Sequence, residues 1–366
     1  MHLALDLRIV DDHFPGIARY AYELALALLE RPDASELSVI LPERPRTRLD
    51  LAPLERARVV RSPAGVFGLA QHWQIGRILG RLGADVALFP YYVRPLWAPC
   101  PTLTVIHDTI SWRVPEAFAP RTRAQIRLLH YAALARSAHI CTVSRSAASD
   151  LAQFYSIRPG RITITSEGAG RQFQPRPAAE VAALRERHGL PERYIVYLAS
   201  DKPHKNVPFL LDCWAAAATG EVGLVLAGRW FDPSTERLLD RPELRGRVWR
   251  LPDVPEADLP ALYSGALALA FPSRYEGFGL PPLEALACGT PVLAADTSSL
   301  PEVVGRAGVL LPLEPAAWRA ALERLCHDES WRAELAGRAL EQAARFSWAD
   351  AAERVIEACR RALVVR

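Results

Sequence analysis

Lysine is almost absent from this chain of 366 residues. Of 44 basic side chains 42 are arginine, and both lysines fall in one stretch, Ser200-Asp201-Lys202-Pro203-His204-Lys205-Asn206. Two ammonium groups within four residues, in a chain that otherwise uses arginine, mark a segment where a compact point charge has a use. Other absences narrow the field. No apolar run approaches the roughly 20 residues of a membrane span. The N-terminus, MHLALDLRIVDD, carries acids directly after its apolar residues and has no small-residue cleavage site, so it reads as a first strand and not as a signal peptide. The six cysteines (100, 141, 213, 288, 326 and 359) form no C-x-x-C pair and have no histidine at ligand spacing. Reduced, buried thiols in a cytoplasmic protein are therefore expected. There is no internal repeat, no low-complexity tract and no G-x-x-x-x-G-K-[ST] loop.

What is present is globular in composition, with 50% hydrophobic and 23% charged residues. The length exceeds one ordinary core and predicts two domains. Charge is uneven: residues 1–175 hold 21 arginines against 15 acids, net +6, and residues 176–366 hold 23 basic against 26 acidic residues, net −3. A mildly basic first half suits an anionic substrate or a lipid headgroup surface. Without aromatic–basic interleaving it is no nucleic-acid footprint, and no nucleic-acid partner is expected.

Apolar runs alternate with helix-period segments throughout. Strands are predicted at 2–9, 37–41, 86–89, 103–106 and 139–143, then at 194–199, 222–227, 247–251, 267–271 and 291–294, with helices between them, notably 17–30 and 121–137. Short all-apolar strands alternating with helices imply parallel sheets covered on both faces. The fold class is thus α/β, two doubly wound Rossmann-like domains of roughly 170 residues each. The boundaries are 1–174 and 175–346, with the Pro-rich segment 172–180 as linker. At the C-terminus, Trp348, Ala352, Val355, Ile356, Cys359 and Leu363 recur at helical spacing behind Ser347, a candidate N-cap. Open parallel sheets bind ligands beyond the carboxyl ends of their strands, so chemistry is sought in the cleft between the domains.

The densest signal is LALAFPSRYEGFGLPPLEALACGTPVLAA, 267–295. A strand ends at Pro272, a loop with Gly277 and Gly279 follows, and Pro281-Pro282 opens a short helix that stops at Gly289. A glycine loop feeding a helix N-terminus at the carboxyl edge of a strand is an anion-binding geometry. Glu276 and Glu284 bracket it. Beside a phosphate, carboxylates are unwelcome unless they have hydroxyls to receive, and sugar and ribose hydroxyls fit. Taken singly, each glutamate reads as a solvated acid; the two together with the loop favour a site.

Glu276-Gly277-Phe278-Gly279-Leu280-Pro281-Pro282-Leu283-Glu284 resembles the E-x7-E signature of family-4 retaining glycosyltransferases, which have the two-domain GT-B fold. The likeness spans nearly the whole chain. Gly16-Ile17-Ala18-Arg19-Tyr20 resembles that family's first glycine loop, His107-Asp108 its H-D, and Val143-Ser144 its V-S. Lys205-Asn206 resembles its K-N or K-G, and Leu259–Ser264 and Phe346-Ser347-Trp348 also fit.

The resemblance implies roles. The Gly16 backbone would lie against the donor diphosphate, His107 would contact the transferred sugar near its 6-position, and Lys205 would neutralise the diphosphate. Glu276, with Gly277 and the amides of Phe278, Gly279 and Leu280, would hold sugar hydroxyls and the distal phosphate. Glu284 would accept from the ribose, Leu251 to Val254 would frame the base, and the C-terminal helix would cross back to the N-terminal domain. An arginine that usually accompanies the lysine is replaced by His204 or Ala199, leaving Lys202, Arg229 or Arg274 as the second cation.

The implied activity is retaining transfer of a sugar, GDP-mannose being favoured as donor, to a glycan, lipid-linked or small-molecule hydroxyl. No D-x-D pair is placed for a divalent ion, so neither metal nor cofactor is expected. Rivals are a non-hydrolysing sugar-nucleotide epimerase, which would need no acceptor, and a catalytically idle nucleotide-sugar-binding subunit. An NAD-dependent dehydrogenase is disfavoured, since no third glycine completes the fingerprint. Arg121, Arg123 and Arg127 beside an apolar helix face suggest either a solvated face or peripheral contact with the inner face of the membrane.

Overall fold

The computed structural model describes residues 1–31, 36–198, 200, 202–228 and 233–364. The alternation builds two parallel sheets. The first holds β1 (His2–Asp6), β2 (Glu36–Pro42), β3 (Arg58–Ser62), β4 (Val86–Phe89), β5 (Thr102–Ile106), β6 (His139–Thr142) and β7 (Ile162–Ile164), in the order β3-β2-β1-β4-β5-β6-β7. The second holds β8 (Tyr194–Leu198), β9 (Gly223–Ala227), β10 (Val248–Leu251), β11 (Ala268–Phe271), β12 (Val292–Ala295) and β13 (Gly308–Leu311), in the order β10-β9-β8-β11-β12-β13. Neighbouring strands are parallel, as in the pairing of Leu5 with Val39 and of Leu269 with Val292. Parallel neighbours need a crossover, and helices supply it. The chain divides into two compact units, Met1–Glu167 with Ser347–Arg366, and Gly168–Phe346.

Burial explains the largely apolar strands. Every residue of β1, β4, β5, β6, β9, β11 and β12 is buried, because helices cover both faces. In the first unit, Ile75, Leu79 and Leu82 of the helix Gln71–Leu82 pack with Ile40 and Phe89 in one core cluster. The C-terminal helix, Trp348–Val364, is capped as its sequence predicts: Ser347 Oγ accepts from Asp350 N at 3.0 Å. It buries Trp348, Ala352, Val355, Ile356 and Cys359 and packs on the helix Pro15–Leu29 and on β4, β5, β6 and β7. At roughly 1.5–3 kcal/mol for a fully buried Val or Ile, that stripe is enough to hold the helix.

Three strands lack a sequence signal: β3, β7 and β13. All three lie at sheet edges. An edge strand is covered less and is written with polar or small residues: β3 is RVVRS, its arginines exposed and its valines half-buried. The segment 172–180 read as a linker already enters a helix, Ala178–His188.

In both sheets the strand order reverses at one place, between β1 and β4 and between β8 and β11. Ligands of doubly wound sheets bind outside the carboxyl ends at such reversals. Beyond β8 comes Lys202–Asn206, and beyond β11 comes Pro272–Glu276.

Candidate active site

Beyond β8 a short 3-10 turn, Pro203–Lys205, runs into Asn206, whose φ of 59° and ψ of 38° are left-handed. Asparagine and glycine tolerate that conformation best, which gives a backbone reason for a K-N or K-G pair here. Two hydrogen bonds stitch this turn to the loop beyond β11. Asn206 Nδ2 donates to the Pro272 carbonyl at 3.3 Å, and Arg274 N donates to the His204 carbonyl at 2.7 Å.

The stitching brings Lys205 to Glu276. Nζ donates to both carboxylate oxygens, at 2.7 and 2.9 Å, with only 15% and 11% of the two side chains exposed. Burial by itself would raise the Glu276 carboxyl. The Lys205 ammonium outweighs it, and Glu276 ends below the usual carboxylate range. The Ser273 hydroxyl acts in the same direction, although its oxygen forms no hydrogen bond of good geometry. Burial, reinforced by Lys205, pushes His204 down to about 4, so its ring is neutral at pH 7. Two of the three ammonium N–H groups are directed at the carboxylate.

The glycine loop is held from β12. Ser298 Oγ accepts from Glu276 N at 2.9 Å, and Ser299 Oγ donates to the carbonyls of Glu276 and Phe278 at 3.1 and 2.6 Å. With those carbonyls fixed, the loop enters the helix Leu280–Ala287 through Gly279, whose φ of 115° suits glycine. These serines escaped the sequence reading. Their signal is the Thr-Ser-Ser run after a predicted strand, which matters only once β12 is known to lie beside β11. Glu284 is no surface acid: it is 4% exposed and accepts from the Tyr263 hydroxyl at 3.1 Å. Val254 lies half-buried after β10, next to Asp253 with φ 50°. Lys202 is exposed, as is Arg274. Arg229, the remaining candidate for the second cation, lies outside the described residues, as does Ala199, one of the positions where the usual arginine is missing.

The first unit places His107 directly after β5. Its Nε2–H donates to the Pro90 carbonyl at 2.8 Å, which fixes the tautomer in the neutral ring. Nδ1 lies 3.9 Å from Glu167, and the ring meets Tyr20 edge-on at 4.7 Å. Glu167 has no local sequence signal, since only the fold brings it to His107. Gly16 does not sit in a loop: it is in the first turn of the helix Pro15–Leu29, exposed, with open space where a Cβ would stand. Ser144 of the V-S pair has a structural task, capping Arg145–Tyr155 by accepting from Ala147 N at 3.0 Å. Among the described residues no cluster of His, Cys, Asp and Glu is arranged to hold a metal ion, and no helix is long and apolar enough to cross a membrane.

Comparison with known proteins follows the same division. Residues 15–169 match the family described as Glycosyltransferase Family 4, and residues 181–345 match Glycosyl transferases group 1. O-antigen chain mannosyltransferase B of Escherichia coli is 33% identical over 265 residues, 70% of this chain and 69% of that protein. The serotype-specific mannosyltransferase WbdA of Escherichia coli is 32% identical over 72% of this chain, which spans only 34% of WbdA's own length. Among solved structures, sucrose-phosphate synthase of Thermosynechococcus elongatus superposes with a TM-score of 0.78 at 20% identity, covering 98% of both chains. HepE of Anabaena, solved with UDP-glucose, gives 0.75 at 20% identity over 98% of this chain and 99% of its own. The chain therefore belongs to the group 1 glycosyltransferases of family 4, enzymes of the GT-B fold that transfer a sugar from a nucleotide donor.

Proposed function

We propose that the protein is a retaining, metal-independent mannosyltransferase of polysaccharide assembly. It takes mannose from GDP-mannose and passes it to a hydroxyl of a glycan, carried on a lipid or free. The observation that carries this reading is the buried Lys205–Glu276 pair at the β8/β11 reversal, in a chain 33% identical to a mannosyltransferase over 265 residues.

In this reading Lys205 turns its third N–H to the donor diphosphate, and Glu276 holds the ammonium in position while accepting from a sugar hydroxyl. The amides from Gly277 to Leu280, at a helix N-terminus, meet the distal phosphate. Glu284 accepts from ribose hydroxyls, the end of β10 through Val254 frames the base, and Lys202 supplies a second cation. His107 serves the transferred sugar and the Gly16 backbone the diphosphate. In the reaction the bond from the anomeric carbon to the phosphate oxygen breaks, its electron pair leaving with the phosphate. The acceptor oxygen bonds the anomeric carbon from the same face, and its proton passes to the departing phosphate oxygen. Preorganised donors at that phosphate are what such a step needs, and they serve without a metal.

A panel of nucleotide sugars tests this. GDP-mannose is expected to raise the melting temperature and to be hydrolysed or transferred with retention, with EDTA making no difference. Preference for a UDP-sugar would overturn the donor assignment. Inversion of the anomer, or loss of activity in EDTA, would overturn the mechanism.

A further inference from the structure

Beyond β12, three consecutive hydroxyl residues turn back on the glycine loop. Thr297 Oγ1 donates to the Ser273 carbonyl at 2.9 Å, and Ser298 Oγ accepts from Glu276 N at 2.9 Å. Ser299 Oγ donates to the carbonyls of Phe278 and Glu276, at 2.6 and 3.1 Å. Ser299 is fully buried. Its one hydroxyl hydrogen is shared between the two carbonyls, the shorter contact taking the larger part. Both backbone groups of Glu276 are thereby held from outside its own loop.

Strain marks the same run. Ser298 has a φ of 48°, in the left-handed region that glycine occupies freely and serine does not. Of the four non-glycine residues with positive φ among the described residues, Asn206, Asp253 and Ser298 lie in the loops beyond β8, β10 and β12; the fourth, Ser156, ends the helix Arg145–Tyr155. A glycine at 298 would relieve the strain but could not receive the Glu276 N–H. Strain held at a ligand-binding edge points to a task for that side chain.

Fixing a carbonyl also fixes an amide. In a trans peptide the C=O and the N–H that follows it point to opposite sides, and no described peptide bond is cis. With the Phe278 carbonyl drawn to Ser299, the Gly279 N–H is turned away from Ser299. Gly279 is the N-cap of the helix Leu280–Ala287, so this N–H stands with the first amides of the helix, where an anion is favoured. A Cβ on Gly279 would come within 3.1 Å of Leu300, the residue after Ser299, so loop and serines lie in close contact.

We infer that Ser298 and Ser299 are positioning residues for sugar transfer. Ser299 aims the Gly279 amide at the departing phosphate, and Ser298 holds the Glu276 backbone so that its carboxylate meets the Lys205 ammonium. The inference rests on the reading that the loop amides meet the distal phosphate. An amide held in place before reaction needs no rearrangement as charge develops, whereas an unrestrained loop has to turn its peptides at each turnover. The two serines therefore act on kcat more than on donor binding. Serines that only stabilised the loop would move melting and turnover together.

Ser298→Gly separates the two roles. Glycine takes a φ of 48° without strain, which offsets the lost hydrogen bond, so melting should stay near that of the wild type. Turnover of GDP-mannose, or of UDP-glucose should the nucleotide-sugar panel select uridine, should nonetheless fall about tenfold. Ser299→Ala should lower kcat by about 10²-fold, the scale of one misdirected preorganised donor. Its KM should change by less than about threefold. Calorimetry with GDP and GMP, and with UDP and UMP in parallel, tests the underlying reading on the wild type, which should prefer the diphosphate. Equal binding of mono- and diphosphate would overturn that reading itself. Preference for the diphosphate with wild-type kcat in Ser299→Ala would overturn the inference alone. So would a loss of turnover in Ser298→Gly matched by a loss of melting temperature, which would make the serines structural.

Discussion

The two units share a sheet order and each holds a shielded ion pair after a central strand, but they assemble it differently: Asp6 and Arg8 lie two residues apart after β1, whereas Lys205 and Glu276 come from two separate loops. The second unit buries an ammonium against a carboxylate at the carboxyl edge of its sheet, and four of its surface arginines pair with acids one turn away. The first unit sets a histidine at its own strand end and leaves Arg77 and Arg81 without acids among the described residues. Fold and charge are thus separable. The parallel sheets follow from where apolar residues recur, and the placement of charges differs between the units without changing them. A buried ion pair is weak evidence of stability, because desolvation offsets its attraction. One kept at the edge where doubly wound sheets bind ligands is better explained by function.

The sharpest way to break the contrast is to remove the ammonium. Lys205→Ala is expected to cut turnover by about 10²–10³-fold, the scale of one lost preorganised donor. It should also destabilise the second unit, since Glu276 is left buried and unpaired. Lys205→Ala with Glu276→Ala separates the two effects: melting should recover and turnover should not. Recovery of both would make the pair a structural feature and remove Lys205 from the chemistry.

Acid should distinguish the units next. His130 and His139 of the first unit are held by burial at about 3 and about 4, and His204 of the second at about 4. A histidine kept neutral when folded can be protonated once unfolded, at an ordinary value near 6.5. Its stabilising contribution is therefore complete above that value and declines as pH falls towards the folded one. The Glu276 pair adds a second loss, which begins as pH falls through the ordinary carboxylate value and runs down to its depressed folded one. Between pH 6.5 and 4 the first unit should lose more stability than the second, because two of its histidines are held neutral by burial and only one of the second unit's is. Unfolding followed by amide exchange at pH 7.5 and 5 would show it. His130→Phe should flatten the dependence in the first unit only.

Donor binding gives a smaller effect. Glu284→Ala is expected to raise the KM for donor about tenfold with a lesser change in kcat, as loss of ground-state contacts does. An equal fall in kcat would move Glu284 from donor binding to the reacting centre.

How much of this was legible beforehand differs between fold and site. The central strands were readable because burial on both faces leaves them few polar residues; of the four edge strands, which are under less such demand, β10 was readable through its Val-Trp-Arg-Leu run and β3, β7 and β13 were not. Lys205, Glu276 and Glu284 stood out through spacing and composition. Ser298, Ser299 and Glu167 did not, because their partners are reached through strand order: β12 beside β11 for the serines, and β7 in the sheet of β5 for Glu167. Sequence proximity shows a loop's contents, and topology shows what restrains it.

Asn206 tests that restraint most finely. Its side chain does two things: it tolerates a φ of 59°, and its amide ties the β8 loop to the Pro272 carbonyl. Asn206→Gly keeps the first and loses the second; Asn206→Ala loses both. If placing Lys205 depends mainly on backbone conformation, glycine should cost only a few-fold in turnover, about 1 kcal/mol for a net hydrogen bond. Alanine should then cost about 1–3 kcal/mol through left-handed strain, seen in both melting and turnover. If the cross-loop amide matters more, the two variants should fall together. That result would make the stitching between neighbouring strand ends, and not the shape of one residue, the feature that holds the ammonium in place.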